Sequence, residues 1–315
     1  LLWRALIQWL GGMGSVVLFV AVFPSIGAGG KHMFGEEVPG TMSEGLQPRI
    51  ADTGRTLWKI YAAFTLIEMG VLYLLGMSSF EALCHALTTM STGGFSTRDA
   101  SVGGFNSASI EFAIAIFMLI GSVNYNLYFA ALRGKSPKVI FRSLEFRVFV
   151  VVVALCVLVL TAGLLEIHKT LFQSFRYAFF MVATTVSSTG YGTDAYMDYP
   201  SPMLGVVMFM MFMGGCAGST AGGIKVERFV VLAKNAWIEF RRSFRPNLVD
   251  VVRMGKSVVP ASAINNVATF FAIYMASMGL GVMVLSILEG ISLPTAFGAI
   301  LTCLSNMGPA PFHVG

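Results

Sequence analysis

Two stretches of the sequence end in the same way: TTMSTGGFST at residues 88–97 and TTVSSTGYGT at residues 184–193. A third stretch, LSNMGP at residues 304–309, shares the small polar run followed by glycine. Each stretch lies at the end of a short apolar segment, at about 79–91, 171–186 and 293–304. These segments are too short to cross a bilayer, which needs about 20 apolar residues. The pattern therefore predicts three re-entrant half-helices, each followed by a polar turn.

The composition indicates a membrane protein. Of the 315 residues, 56% are hydrophobic and only 12% are charged, and the mean hydropathy is +0.75. A soluble domain carries about 25% charged residues. The net charge of +5 is modest, and we interpret it through its distribution along the chain rather than as a sign of nucleic-acid binding. We therefore expect the chain to contact membrane lipid and not to bind nucleic acid.

Longer apolar segments separate the three short ones, which predicts a repeated unit of membrane helix, pore loop and membrane helix. The predicted fold class is an all-α polytopic membrane protein with such units around a central pore. The predicted parts are the inner helix of unit 1 at 1–30, a cytoplasmic loop at 31–57, pore-loop unit 2 at 58–132, a cytoplasmic loop at 133–147, pore-loop unit 3 at 148–233 with an intramembrane loop at 214–224, a cytoplasmic loop at 234–257, and the first helix and pore loop of unit 4 at 258–315.

Basic residues predict the orientation, because Lys and Arg are enriched in cytoplasmic loops. The segment 133–147 has five basic residues against one acid, and the segment 225–257 has eight against three. The segments after the first two half-helices are poor in basic residues. We therefore expect the pore loops to enter the membrane from the outside.

The three loops have the composition that a filter for a dehydrated cation requires. Backbone carbonyls replace the water shell of K⁺ when the chain is extended and faces the pore. Glycine permits the necessary backbone angles, and Ser and Thr add hydroxyl groups without bulk. The candidate K⁺-binding residues are Met90, Ser91, Thr92, Gly93, Ser187, Ser188, Thr189, Gly190, Ser305, Asn306, Met307 and Gly308.

A glycine-rich run, GGCAGSTAGGIK at residues 214–225, interrupts the apolar segment at about 203–233. Its five glycines oppose a continuous helix, since each costs about 1 kcal/mol relative to Ala. A broken helix in a transporter usually marks the permeation path. The alternative is a face of small residues that packs against another helix. The composition of the run alone leaves both interpretations open.

The loops and their surroundings resemble the Trk/Ktr/HKT superfamily of potassium transporters, over essentially the whole chain. The stretch QWLGGMG at 8–14 resembles the inner helix of the first unit of that family. The stretches PRI at 48–50 and LWKIY at 57–61 resemble the approach to the second unit. They favour the bacterial Trk-type membrane subunit. The resemblance implies four units, so we expect a chain truncated at both ends, without the first pore loop and the last inner helix.

The resemblance also implies roles for particular residues. The central filter glycines would be Gly93, Gly190 and Gly308, and the last loop departs from the Gly-Pro-Gly pattern of the family at Ala310. The glycine-rich run would be a flexible intramembrane gate, held by few side-chain contacts, with Lys225 near the cytoplasmic mouth. The candidate gate residues are Gly214, Gly215, Gly218, Ser219, Thr220, Gly222, Gly223 and Lys225.

The implied function is K⁺ uptake through the bacterial inner membrane by a protein that is not an enzyme. The implied partners are a second copy in a homodimer and a cytoplasmic regulatory subunit of the nucleotide-binding RCK type. No cofactor is expected besides K⁺, the transported ion. The alternatives are a Na⁺-dependent Ktr-type transporter, an ion-coupled K⁺ symporter, and a membrane scaffold or binding protein.

Overall fold

The computed structural model describes residues 1–14, 50–134, 136–245, 250–255 and 257–308. Most of the predicted loop 31–57, and the departure at Ala310, lie outside the described residues. Within these ranges the chain forms twelve α-helices and one short hairpin. They are α1 Leu2–Trp9, α2 Ile50–Leu74, α3 Ser79–Met90, α4 Ala108–Gly121, α5 Tyr125–Arg133, α6 Lys138–Arg142, α7 Leu144–His168, α8 Leu171–Val186, α9 Ser201–Phe212, α10 Val226–Phe244, β1 Arg253–Met254, β2 Ser257–Val258, α11 Ala261–Glu289 and α12 Leu293–Ser305.

The long apolar helices make the chain a polytopic, all-α membrane protein. Among the described residues, three helices are long and apolar enough to cross a membrane, at Gly54–Leu74, Leu144–His168 and Ala261–Glu289. Such a helix needs about 20 apolar residues to match the hydrocarbon thickness. A fourth span is possible if the bent pair α4–α5 crosses as one unit.

The pore helices α3, α8 and α12 start in the same way. Each begins after a Ser or Thr whose side chain accepts a hydrogen bond from a backbone N–H in the first turn. Ser78 and Glu81 form a full capping box in α3, and Thr170 and Ser292 cap α8 and α12. Caps of this kind satisfy N–H groups that have no partner within the helix. The pore helices are therefore defined locally at both ends, by a polar cap and by a polar turn.

The apolar segment at 108–132, the last part of predicted unit 2, forms two helices rather than one. The axis bends by 83° between α4 and α5. The Ser122 hydroxyl donates a hydrogen bond to the Met118 carbonyl at 2.8 Å. The Asn124 side chain caps α5 by accepting a hydrogen bond from the Asn126 N–H at 2.9 Å. The mean hydropathy of this stretch shows only that it is apolar. The helix ends here because polar side chains compete for its backbone hydrogen bonds.

Two predicted boundaries fall inside helices. The boundary at 57/58 lies within α2, and the boundary at 233/234 lies within α10, so the first half of the predicted loop 234–257 is largely helical. Helix α10 buries Val226, Val230 and Ile238 along one side while its other side is charged. An amphipathic helix of this type has low mean hydropathy, and a search for apolar runs therefore ends too early.

A buried ion pair fastens the second pore helix to its neighbour. Arg176 of α8 donates through Nε and Nη2 to the two carboxylate oxygens of Glu111 of α4, both at 2.6 Å. The Glu111 side chain is 1% exposed and that of Arg176 is 17% exposed. The two parallel bonds give the contact a defined geometry, so it fixes the position of the pore helix as well as neutralising the acid.

Replacing Arg176 with Ala is expected to destabilise the protein by about 3 kcal/mol, because Glu111 then stays buried without its cation. The measurement is the Tm of the full-length protein in detergent. Arg98→Ala is the matched control, since its pair with Glu81 is half exposed on the arginine side and is worth at most about 1 kcal/mol. Equal losses of Tm for both variants would contradict this role of the ion pair.

Candidate ion-conduction site

The three pore helices end in one backbone motif. In each, the carbonyl of a Thr accepts from the N–H five residues later, at 2.7 Å for Thr88, 3.1 Å for Thr184 and 2.9 Å for Thr302. The residue before that donor has a left-handed backbone. This residue is Thr92, Ser188 or Asn306, with φ of 55°, 55° and 54°. The pattern is a Schellman motif, which closes a helix and turns the chain away from its axis.

This shared geometry changes the register of the first loop. Counting six residues from the Thr acceptor, Gly94 is equivalent to Gly190 and Gly308, while Gly93 is equivalent to Thr189 and Met307. The assignment of Gly93 as the central glycine is therefore corrected to Gly94. Gly94 and Gly190 share a positive φ, of 71° and 86°. The wrong assignment arose because Thr92-Gly93 repeats the dipeptide Thr189-Gly190.

The same correction applies to the start of the first loop. Met90 is the last residue of α3, is fully buried, and packs in a cluster with Tyr61 and Phe117. Its side chain belongs to the helix core rather than to the loop. The first loop in structural register therefore runs from Ser91 to Gly94, parallel to residues 187–190 and 305–308.

The loops converge at their glycines. A methyl group on Gly94 would collide with the Thr189 carbonyl oxygen, and one on Gly308 would lie 3.7 Å from the Gly190 carbonyl oxygen. Carbonyl oxygens of one loop therefore face the glycine of the next. The structure brings together the three groups of candidate filter residues that are about 100 residues apart in the sequence.

Tyr191 joins the first two loops. Its side chain is 1% exposed, and its hydroxyl lies 2.6 Å from the Thr88 Oγ1. Its own carbonyl accepts from the Thr184 Oγ1 at 3.0 Å, and Thr88 Oγ1 also donates to the Phe95 carbonyl at 2.9 Å. Thr88 and Thr184, which start the two repeated stretches, thus hold the residues that directly follow Gly94 and Gly190. These bonds fix the backbone from which the carbonyls project.

The intramembrane loop touches all three pore loops from the end where the pore helices stop. The Thr92 hydroxyl donates to the Thr220 carbonyl at 2.9 Å, and the Gly222 N–H donates to the Ser188 Oγ at 2.5 Å. A methyl group on Gly222 would collide with the Ser305 carbonyl oxygen. The loop therefore lies directly against the candidate filter.

The glycine-rich run is not helical between α9 and α10, as its composition predicted. Its two ends run side by side, with a parallel bridge between Met213 and Ile224 and no space for a side chain on Gly214. Four of the candidate gate residues, Gly215, Gly218, Ser219 and Gly223, continue this turn. Because the glycines allow two backbones to approach closely, they serve the turn itself rather than a helix-packing face.

The loop has more anchors than the sequence indicated. Ser122 accepts from the Cys216 N–H at 2.8 Å through its carbonyl, and the Tyr125 N–H donates to the Gly218 carbonyl at 3.1 Å. Glu145 accepts from the Ala217 N–H at 2.5 Å. The loop that we expected to have few side-chain contacts is thus also held by backbone hydrogen bonds and by one carboxylate. The bend between α4 and α5 leaves backbone N–H and carbonyl groups without partners in a helix. The loop supplies hydrogen-bond partners for these groups, so each irregular segment satisfies the backbone of the other.

Lys225 makes a hydrogen bond within this arrangement. Its ammonium group donates to the Ala221 carbonyl, and the residue is partly buried. The lysine closes the loop on itself by bonding four residues back. Sequence reasoning missed Glu145, because one acid beside several basic residues in 133–147 looked like an ordinary charged loop.

The three short helices end in a shared motif, and the loops that follow them meet at their glycines. This arrangement defines a pore-loop membrane protein. The family profile described as "TrkH: Cation transport protein" matches residues 1–311. The chain belongs to this family.

Similar proteins agree with this membership. The chain is 38% identical to the Trk system potassium uptake protein TrkH of Escherichia coli (strain K12), over 98% of the chain and 64% of that protein. It is 33% identical to the Trk system potassium uptake protein TrkG of the same strain. A crystal structure of the potassium transporter TrkH from Vibrio parahaemolyticus superimposes with a TM-score of 0.84 at 34% identity, over 98% of the chain and 63% of that structure.

The chain thus spans slightly less than two thirds of the length of these relatives. Its apolar spans and its bacterial relatives place it in the bacterial inner membrane.

Proposed function

We propose that the chain forms part of a K⁺ uptake pathway, in which residues 91–94, 187–190 and 305–308 provide three sides of a selectivity filter. The observation that carries this proposal is the shared motif that ends all three pore helices and brings their glycines together. The relatives are named potassium uptake proteins, which supports K⁺ as the transported ion. A fourth side would come from a part of the protein beyond this chain.

Selection by this site would follow from carbonyl geometry. A K⁺ ion that sheds water is stabilised by several carbonyl dipoles at fixed spacing, whereas Na⁺ is too small to contact them all without distortion of the loop. The bonds of Thr88, Thr184 and Tyr191 resist that distortion. The intramembrane loop would block the path beneath the filter and open it when its anchors are released.

The partners of the whole protein are proposals as well. The name "Trk system" of the relatives supports a system of several components. We propose a cytoplasmic RCK-type nucleotide-binding subunit as the regulator and a homodimer as the assembly. The basic segments 133–147 and 225–257 offer charge for docking such a subunit on the cytoplasmic side.

Rubidium uptake tests the transport function. The full-length protein, expressed in a host that lacks its own potassium uptake, should restore growth at low K⁺ and accumulate ⁸⁶Rb⁺. An excess of K⁺ should suppress the uptake, and an equal excess of Na⁺ should not. Correctly inserted protein that gives no uptake above the empty host would refute the proposal.

The orientation has its own test. Cysteines introduced at Ser136 and Ser243 should resist an impermeant thiol reagent added outside intact cells and should react after the cells are opened, because Lys and Arg hold these segments in the cytoplasm. Of the native cysteines, Cys303 is exposed, so the background is Cys303→Ser. Labelling of both positions from outside would invert the proposed topology.

A further inference from the structure

Helix α1 is held firmly beside the first pore loop. Trp9 stacks on Tyr61 with 5.3 Å between the ring centroids and donates from Nε1 to the Thr65 Oγ1 at 2.9 Å. The Tyr61 hydroxyl donates back to the Trp9 carbonyl at 3.1 Å. These contacts attach the end of α1 to helix α2. Residues next to Trp9 are therefore presented to the loop in a fixed position.

Gln8 uses this position to contact Gly93. Its Nε2 donates to the Gly93 carbonyl at 3.3 Å. Its carboxamide also lies so close to the Gly93 Cα that a methyl group there would collide with the Gln8 Oε1. Four residues further on, a methyl group on Gly12 would lie 3.0 Å from the Ser91 Cα. One face of the chain around α1 therefore follows the first pore loop.

The other two loops have a side chain at the position that Gln8 fills. Thr189 is equivalent to Gly93, and its hydroxyl lies 2.6 Å from the Ser187 Oγ within its own loop. The third loop has Met307 there. The first loop has no side chain at Gly93 to make such a contact. Instead, a residue from a distant part of the chain occupies the space and binds the backbone.

We propose that Gln8 is a positioning residue for ion selectivity, which acts by fixing the peptide between Gly93 and Gly94 without touching the ion. This inference rests on the proposed function. The side-chain amide of Gln8 donates to the Gly93 carbonyl. This bond fixes the orientation of the peptide plane that joins Gly93 to Gly94. Gln8 and Gly93 act as a pair that replaces the hydroxyl contact between Thr189 and Ser187.

The test measures K⁺ and Na⁺ permeation of the full-length protein in liposomes. Gln8→Ala should lower the K⁺ to Na⁺ ratio about fivefold, the size expected from losing one hydrogen bond, while Rb⁺ flux remains. Gly93→Thr should be worse, because its side chain collides with Gln8. Gly93 does not have a left-handed φ, so threonine is compatible with its backbone.

The double variant Gln8→Ala/Gly93→Thr is decisive, because it should recover most of the ratio that Gly93→Thr loses by rebuilding the contact seen at Thr189. Gln173→Ala, at an exposed site on another pore helix, is the matched control and should match the wild type. A double variant no better than Gly93→Thr, or a Gln8→Ala protein with the wild-type ratio, would overturn the inference. A wild-type protein without K⁺ preference would instead refute the proposed function.

Discussion

Gly94→Ser and Gly190→Ser should each reduce the K⁺ to Na⁺ permeability ratio by about tenfold or more, because both glycines have a backbone that serine adopts only with strain. Their φ values are 71° and 86°. At Gly94 a side chain would also collide with the Thr189 carbonyl, and a backbone atom cannot move aside as a flexible side chain can. The added side chain would therefore shift the carbonyl spacing on which selection depends.

Two further glycines make this prediction specific. Gly308→Ser should have a smaller effect, because a methyl group there lies at an ordinary 3.7 Å from the Gly190 carbonyl oxygen. Gly205→Ser is the control, since it lies in helix α9 with nothing within 4 Å of an added side chain. The measurement is the reversal potential or tracer flux of the full-length protein in liposomes. A Gly94→Ser protein that inserts normally and keeps the wild-type ratio would remove Gly94 from the filter.

The pore loops could be predicted from the sequence because their signals are local. A Ser or Thr cap, a half-length apolar helix and a Thr that accepts the closing hydrogen bond recur in all three, and each acts on its own few residues. The register of the first loop was assigned wrongly, because Thr92-Gly93 repeats the dipeptide Thr189-Gly190. Aligned without a gap from Thr88 and Thr184, the two stretches place Gly94 opposite Gly190, and the positive φ of Gly94 and the hydrogen bond from the Gly93 N–H to the Thr88 carbonyl agree with that register.

The contacts that support the site could not be predicted, because they join distant parts of the chain. Gln8 and Gly93 are 85 residues apart, and Glu145 and Ala217 are 72 apart. The bend after α4 also depends on contacts with a distant part of the chain. A helix end inside a membrane is costly unless another segment satisfies its carbonyl groups, and the partner is the glycine-rich loop almost 100 residues later. Hydropathy contains no information about such pairings.

Release of the intramembrane loop is expected to raise basal K⁺ flux at least about tenfold, because two hydrogen bonds of about 1 kcal/mol each would no longer favour the closed arrangement. The variant is a deletion of residues 217–219. It removes the bonds of Ala217 to Glu145 and of Gly218 to Tyr125. It leaves Thr220 and Gly222, which contact the pore loops, so the K⁺ to Na⁺ ratio should stay near the wild-type value.

Glu145 provides a point substitution for the same idea. Glu145→Leu removes the acceptor of the Ala217 N–H and should raise flux in the same direction as the deletion, whereas Glu145→Gln keeps a carbonyl oxygen there and serves as its control. Dependence on the cytoplasmic regulator should weaken in the deletion and in Glu145→Leu, because a loop that is already free needs no signal to open. A loop that only packs helices together predicts a different result, in which flux and the amount of folded protein fall together. Well-folded deletion protein with unchanged flux, with and without the regulator, would show that residues 214–224 are not the gate.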